Sequence, residues 1–463
     1  MSFLQVPPPP PLPLPTTTTL PLPTTTTTLP SSSSSSSSTL LLSSSSQKEI
    51  YTYHADWMIY STSWSVRRDY PFRLAIGSFI EEYRNKVDII QLNTDRLVLE
   101  RVAQFEHPYP ATKIQFHPSS STSNLDLIAT SGDYLRLWQL KDHSTINNNT
   151  TNGTTIGTTT SNHMTSVMVG RDEMNQQPPI STTTTSFTAV SDKSTTMKSN
   201  TNNTNTTNNN NTNTTTNSLI QSQTQHSQQF SVSKYFTFNN DSSSEYCAPL
   251  TSFDWCEYNP NIIGTCSIDT TCTIWDIPSG KSVTQLIAHD KEVYDIAFRN
   301  QDVFCTVGAD GSLRMFDLRS LEHCSILYET PQLTPLLRLA WNKQDLNYVA
   351  CIGMDSNRIV VLDVRYPGMP LMELCGHKMP VNGIAWAPHS PRHLCSVGDD
   401  GQALIWDINN GGMSSVGIET SGTTIEPILE YKAECEVNQL GWSSLQMDWI
   451  SIVFGQKLQI LKV

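Results

Sequence analysis

The chain has 463 residues, a formal net charge of −13 and only 15% charged side chains. Residues 1–46 carry no charge, and residues 143–242 are mostly Thr, Asn, Ser and Gln with four basic side chains against four acidic ones; neither tract has the apolar surface needed to offset the entropy of ordering it. The acidic excess therefore sits on the other 317 residues, which argues against direct nucleic-acid binding and leaves ample chain for one large core.

In chain order, residues 1–46 are expected to be a disordered Pro/Thr/Ser-rich tail. Its segment Pro7–Pro15 samples polyproline II, which either docks SH3- or WW-type modules or is idle. The N-terminus has no basic segment leading into an apolar core, and Leu40-Leu41-Leu42 is too short for a signal or a span. A soluble protein of cytoplasm and nucleus is expected, with no membrane partner. Residues 47–142 are expected to hold two repeats, Trp57 to Leu92 and a second ending at SGDYLRLWQL (Ser131 to Leu140). Residues 143–242 form a disordered insertion between repeats, and residues 243–463 hold five more repeats from Cys247-Ala248-Pro249-Leu250 onward.

The pattern is clearest from Thr284 to Arg319. VYDIAF (Val293 to Phe298) alternates as a strand does, a second run follows at Val303 to Val307, and Asp310-Gly311 marks a tight turn into a third run. The ends Trp275-Asp276, Phe316-Asp317, Leu362-Asp363 and Trp406-Asp407 recur at intervals of 41, 46 and 44 residues. That period, with such ends, indicates four-stranded propeller blades. The last unit has three strands only, Val437 to Trp442, Trp449 to Phe454 and Lys457 to Leu461. Lys48 to Tyr53 supplies the fourth, giving an all-β, seven-bladed WD-repeat β-propeller closed by an N-terminal strand; its first and last units are the least regular.

His289, Thr306, Asp310 and Phe316 resemble the structural tetrad of WD repeats, with Phe in place of Trp, and His377, Ser396, Asp400 and Trp406 repeat it. A Ser/His/Asp hydrolase is the competing reading, but the same trio once per blade points to a scaffold network. His107 takes the same place in the second repeat, where Asp133 stands one residue closer to its Trp138 than Asp310 does to Phe316, so no hydroxyl is assigned. In the fifth repeat Cys351 stands at the hydroxyl position. The ten Cys contain no Cys-x-x-Cys pair, and Cys266, Cys272, Cys305, Cys351 and Cys395 fall inside strand runs, as reduced buried thiols do. No Walker loop, Rossmann glycine pattern, zinc cluster or nucleophile elbow is present, so no cofactor, metal or enzyme activity is expected. A propeller enzyme with a channel site would need convergent acids. Asp254 and Asp295 occupy matching places in TSFDW and VYDIAF, but Trp64 follows a run with no such Asp, so no ring of acids emerges.

Beyond generic repeats, CAPLTSFDW (247–255), SIDTTCTIWD (267–276), AHDKEVYDIAF (288–298), GADGSLRMFDLR (308–319) and VNGIAWAPHS (381–390) stand out, with GSFIEEYRNKV (77–87) and ATSGDYLRLW (129–138) upstream. In these blocks the chain resembles the WD-repeat adaptor family of the animal cullin-four-associated factor seven and the plant transparent-testa-glabra regulator, closest to the animal member. The resemblance implies a non-enzymatic scaffold, a monomer within hetero-complexes, holding dual-specificity tyrosine-regulated protein kinases and transcription regulators. It also implies, as an alternative, a substrate receptor of a cullin-four ubiquitin ligase. That role is carried by Trp-Asp-x-Arg endings, to which Asp317/Arg319 and Asp363/Arg365 are the nearest matches here, both without the Trp. Each Arg either reaches a partner or pairs with a neighbouring blade.

Overall fold

The computed structural model describes residues 49–121, 125–143, 230–239, 248–409 and 425–463. The expected tail, most of the 143–242 tract and residues 410–424 lie outside them. Every described element is a strand, and the 28 strands form seven four-stranded antiparallel sheets. Six sheets use consecutive strands. The seventh is built from both ends of the chain: Ile50–His54 pairs with Lys457–Lys462, which pairs with Trp449–Phe454 and then Gln439–Trp442. Its register, Ile50 opposite Leu461 and His54 opposite Lys457, closes the ring.

Blade four shows how the sequence makes a blade. Val293–Phe298 lies innermost, followed outward by Val303–Gly308, Ser312–Asp317 and Ser320–Glu329. The turn into the third strand puts Gly311 at φ +76°, and a Cβ there would sit 2.7 Å from the Leu333 carbonyl carbon. Only glycine fits that turn. Side chains of alternate strand positions meet the neighbouring blade, so the core is a set of layers between sheets. Seven apolar clusters result, one per junction. The blade three–four layer stacks Phe304 on Phe316, and the blade seven–one layer packs Trp57, Ile59, Leu74 and Ile76 against Trp449, Leu458 and Ile460. Burying such side chains contributes about 1.5–3 kcal/mol each, and a single sheet has no face on which to do it alone.

One boundary differs from the sequence reading. Phe230–Phe238 is not part of an insertion between blades; it is the fourth strand of blade two, paired with Leu135–Asp142 from Asp142↔Phe230 to Leu135↔Phe238. The polar tract therefore interrupts the hairpin between the third and fourth strands. Packing fixes the returning strand. Phe230 and Phe238 are each 1% exposed, and Phe230 meets Tyr70 edge-on. The Tyr70 hydroxyl donates to Asp142 at 2.5 Å, so one side chain of blade one holds both sides of the interruption. In the same layer Arg73, fully buried, makes a two-pronged ion pair with Asp126 (2.7 and 2.9 Å) and lies against the Phe116 and Phe230 rings.

Candidate functional site on the channel and the arginine turns

The tetrads sit inside the blades. In blade six Trp406 Nε1 donates to Ser396 Oγ (2.9 Å), Ser396 bonds His377 Nε2 (2.8 Å), and His377 Nδ1 donates to Asp400 (3.0 Å). In blade four the same chain runs from Thr306 through His289 (2.8 Å) to Asp310 (2.9 Å), and the Phe316 ring, having no donor, stacks on Phe304 instead. Burial alone would raise the Asp310 carboxyl, but hydrogen bonds from His289 and Ser312 hold it well below the usual carboxylate range. Thr306 and Ser396 are 0% exposed, so no substrate reaches either hydroxyl and the triad-like geometry is scaffold.

Blade two carries the relay without the carboxylate. Trp138 Nε1 donates to Thr130 Oγ1 (2.8 Å), Thr130 bonds His107 Nε2 (3.0 Å), and His107 Nδ1 donates to the Tyr109 carbonyl (2.5 Å). The hydroxyl left unassigned in the sequence is thus Thr130, and Asp133 instead forms a two-pronged pair with Arg136. Cys351 occupies the hydroxyl position of blade five and is fully buried. Burial pushes its thiol, and those of Cys266 and Cys395, up to about 12, leaving them inert as nucleophiles.

The axis of the propeller presents a different surface. On five innermost strands the pairing register skips one residue near the start, as at Ile59/Ser61, Leu250/Ser252, Val293/Asp295, Leu336/Arg338 and Val381/Gly383. Bulges of this kind re-aim side chains. The skipped residues Tyr60, Thr251, Tyr294, Leu337 and Asn382, with Thr112 and Asn438 from the other two blades, line a channel mouth of about 650 Å³. Exposed Met58, Phe79 and Ile268 make its rim apolar. The next residue of each strand forms a second ring, Ser61, Lys113, Ser252, Asp295, Arg338, Gly383 and Gln439, around a chamber of about 160 Å³.

This register corrects the matching of Asp254 with Asp295. Phe253 faces Thr265 as Ile296 faces Thr306, so Asp295 corresponds to Ser252, while Asp254 lies one place further along. Asp254 accepts from the Phe298 backbone N–H (2.8 Å) and ties blade three to blade four. The ring therefore holds one carboxylate, Asp295, with one Lys and one Arg. Nothing in composition or spacing marks these positions without the bulges.

The arginine turns lie on the opposite face, where the third strands end. Arg319 grips Asp317 of its own blade through Nε (2.8 Å) and Nη2 (2.5 Å), and Arg365 grips Asp363 through Nε (2.9 Å) and Nη2 (2.6 Å). The pairing is thus within the blade rather than to a neighbour. Both guanidiniums stay largely exposed, 68% and 53%, with Nη1 left over for another acceptor. The hydrogen bond from Arg319 holds the Asp317 carboxyl down at about 2, and that from Arg365 lowers Asp363.

The sequence model for the WD domain, G-beta repeat, matches residues 280–317 and 368–407, which end at the Phe316-Asp317 and Trp406-Asp407 pairs. A DDB1- and CUL4-associated factor 7 homolog of Dictyostelium discoideum is 46% identical over 418 residues, covering 90% of this chain and 99% of the relative. WD repeat-containing proteins of Schizosaccharomyces pombe and Saccharomyces cerevisiae are 31% and 28% identical, each over 90% of this chain and over 90% and 77% of their own lengths. With two repeats recognised, seven blades closed and nearly the whole of a relative matched, the chain belongs to the DDB1- and CUL4-associated factor 7 family of WD-repeat proteins.

Proposed function

We propose that this protein is a non-catalytic scaffold that assembles protein kinases of the dual-specificity tyrosine-regulated type with transcription regulators, in cytoplasm and nucleus, as a monomer within hetero-complexes. The observation that carries the reading is the likeness, over 90% of this chain and 99% of the relative, to a DDB1- and CUL4-associated factor 7 homolog, on a fold whose tetrad networks are buried. A closed ring of seven sheets offers two rigid faces and a rim, enough for several partners at once. Affinity capture of the tagged full-length chain is expected to return a kinase together with transcription regulators; recovery of neither overturns the reading. Turnover of a small substrate by the purified chain would replace it with a channel enzyme.

The paired turns favour a second reading, a substrate receptor of a cullin-four ubiquitin ligase, whose adaptor and cullin stand in the Dictyostelium relative's name. Arg319 and Arg365 repeat one geometry in consecutive blades and keep a free Nη1 toward solvent. Under this reading the double substitution Arg319→Ala plus Arg365→Ala releases the cullin adaptor while kinase capture persists. No change in capture on double substitution leaves the first reading alone.

A further inference from the structure

The chamber at the second ring divides into two unequal halves. On blades two to four its polar groups satisfy one another. Asp295 accepts from Ser252 Oγ (2.6 Å), from the backbone N–H of Ile296 (3.0 Å) and of Leu339 (3.1 Å), and from Lys113 Nζ across the channel (3.4 Å). On the other side, blade five contributes Arg338, half-buried and without an ion pair or side-chain hydrogen bond among the described residues. Blade six contributes Gly383, which adds no side chain, and blade seven contributes Gln439, whose amide is likewise unbonded. The buried hydroxyls of Ser61 and Thr62, on the blade one strand that lines the chamber, have no hydrogen-bond partner among the described residues.

A guanidinium keeps its charge at any ordinary pH, and taking it out of bulk water without a counter-charge is unfavourable. Here the single carboxylate of the ring is already engaged by four donors, so the ring keeps a surplus positive charge inside a protein of net charge −13. The surplus faces a small space bordered by an amide and hydroxyls that can donate. A tetrahedral oxyanion matches that set: the guanidinium fork takes two of its oxygens and neutral donors take the others. Entry is through the wider mouth, which Arg338 also lines.

We propose that the axial channel is a phosphate-binding site centred on Arg338, with Gln439 as the second donor. The bound group is either free phosphate or the phosphoryl group of a phosphorylated side chain that reaches in through the mouth. The site does not depend on the adaptor reading and can stand or fall without it.

The test is calorimetric titration of the purified full-length chain with inorganic phosphate and, separately, with a short phosphoserine peptide and its unphosphorylated twin, at constant ionic strength. Saturable one-site binding of phosphate or of the phosphopeptide is expected, weakened at least tenfold by Arg338→Gln and retained in part by Arg338→Lys. Arg96→Gln, at an exposed arginine far from the axis, should leave it unchanged. Tighter binding of the phosphopeptide than of phosphate identifies a side chain as the source; equal or weaker binding identifies the free ion. No binding of either probe, or equal binding to the folded Arg338→Gln chain, overturns the proposal.

Discussion

Blades two and six carry the same buried relay of Trp, hydroxyl and His, but they anchor its end differently. In blade six the imidazole ends on the Asp400 carboxylate, which also accepts from the backbone N–H of Lys378 and of Gln402, so one side chain orders the turn on both sides. In blade two the imidazole ends on the Tyr109 carbonyl, and Asp133 has gone to Arg136. The polar tract also interrupts blade two, between its third and fourth strands. A blade with a weaker turn network is held by its outer contacts instead: the Arg73–Asp126 pair, Tyr70 against Phe230, and two fully buried Phe of the last strand. The scaffold therefore tolerates loss of a tetrad carboxylate where neighbouring packing replaces it.

Two deletions break the comparison most sharply. Removing residues 145–228 leaves His143, Ser144 and Gln229 between Asp142 and Phe230, a three-residue connection within the range of hairpin loops. That variant should fold with an unreduced melting midpoint. Removing 145–240 deletes the fourth strand with Phe230 and Phe238, and losing a buried Phe costs about 3–5 kcal/mol each. Loss of folded protein is expected, read by circular dichroism and thermal melting. Equal behaviour of the two deletions would mean that the strand is dispensable.

Acidification separates the two imidazoles next. Burial lowers His107 to about 4, from an ordinary value near 6.5, outweighing the opposing pull of the Tyr109 carbonyl and of Asp133, neither of which is a carboxylate bonded to the ring. The unfolded chain then binds a proton that the folded chain refuses, so stability is complete above about 6.5 and falls as pH drops toward 4, by on the order of 2–3 kcal/mol. His377 is also lowered by burial, but the Asp400 hydrogen bond works against that shift. His107→Gln should flatten the fall in melting temperature between pH 6.5 and 4 relative to the parent chain. His377→Gln should flatten it less. A parent chain whose stability is level across that window would contradict the buried, neutral His107.

A smaller difference is expected at the turn carboxylates. Asp310→Ala leaves His289 and Ser312 without their shared acceptor in a half-satisfied network, a cost of about 1–3 kcal/mol. Asp133→Ala strips Arg136, 8% exposed, of its carboxylate and should cost more, about 3–5 kcal/mol, because a buried guanidinium is left unpaired. Denaturant titration of both variants measures the gap. Equal costs would mean that the carboxylate matters equally in the two blades.

How much of this was legible in the sequence follows from which signals are local. The recurring Trp-Asp ends, the Asp-Gly turn and the alternation of VYDIAF are short-range, and they placed the blades, the closing strand and the tetrads of blades four and six. Phe230–Phe238 also alternates, as FSVSKYFTF, but it lies at the end of a polar tract whose average composition masks nine residues of strand. Thr130 was missed because it stands eight residues before Trp138, where Thr306 and Ser396 stand ten before Phe316 and Trp406, so the same count back from Trp138 lands two residues away. The two channel rings were out of reach for a deeper reason. Blades three and four share the bulge, but the loop from first to second strand is two residues longer in blade three, so residues at equal distances from a motif, such as Asp254 and Asp295, do not face the axis alike. Only pairing with the second strand identifies Arg338 as the neighbour of Asp295 in the ring.

The smallest effect on stability, and the most informative about function, is expected at the other face. Arg319 and Arg365 are exposed and each is bonded to an Asp two residues before it; removing Arg319 frees Asp317, a third exposed and readily solvated, whereas removing Arg365 leaves Asp363, 5% exposed, with the Arg365 backbone N–H as its donor. The melting midpoint of the Arg319→Ala chain should equal that of the parent, and that of the Arg319→Ala, Arg365→Ala chain should fall below it by less than Asp310→Ala does. A change in partner capture by that chain is then a change in recognition and not in folding. Restoring one arginine at a time tests whether consecutive blades act as a pair, since a fork on each blade that meets a single partner surface should give more than the sum of the two alone. A midpoint in the double variant lowered as far as that of Asp310→Ala would assign the two turns to the scaffold and remove them from the list of partner contacts.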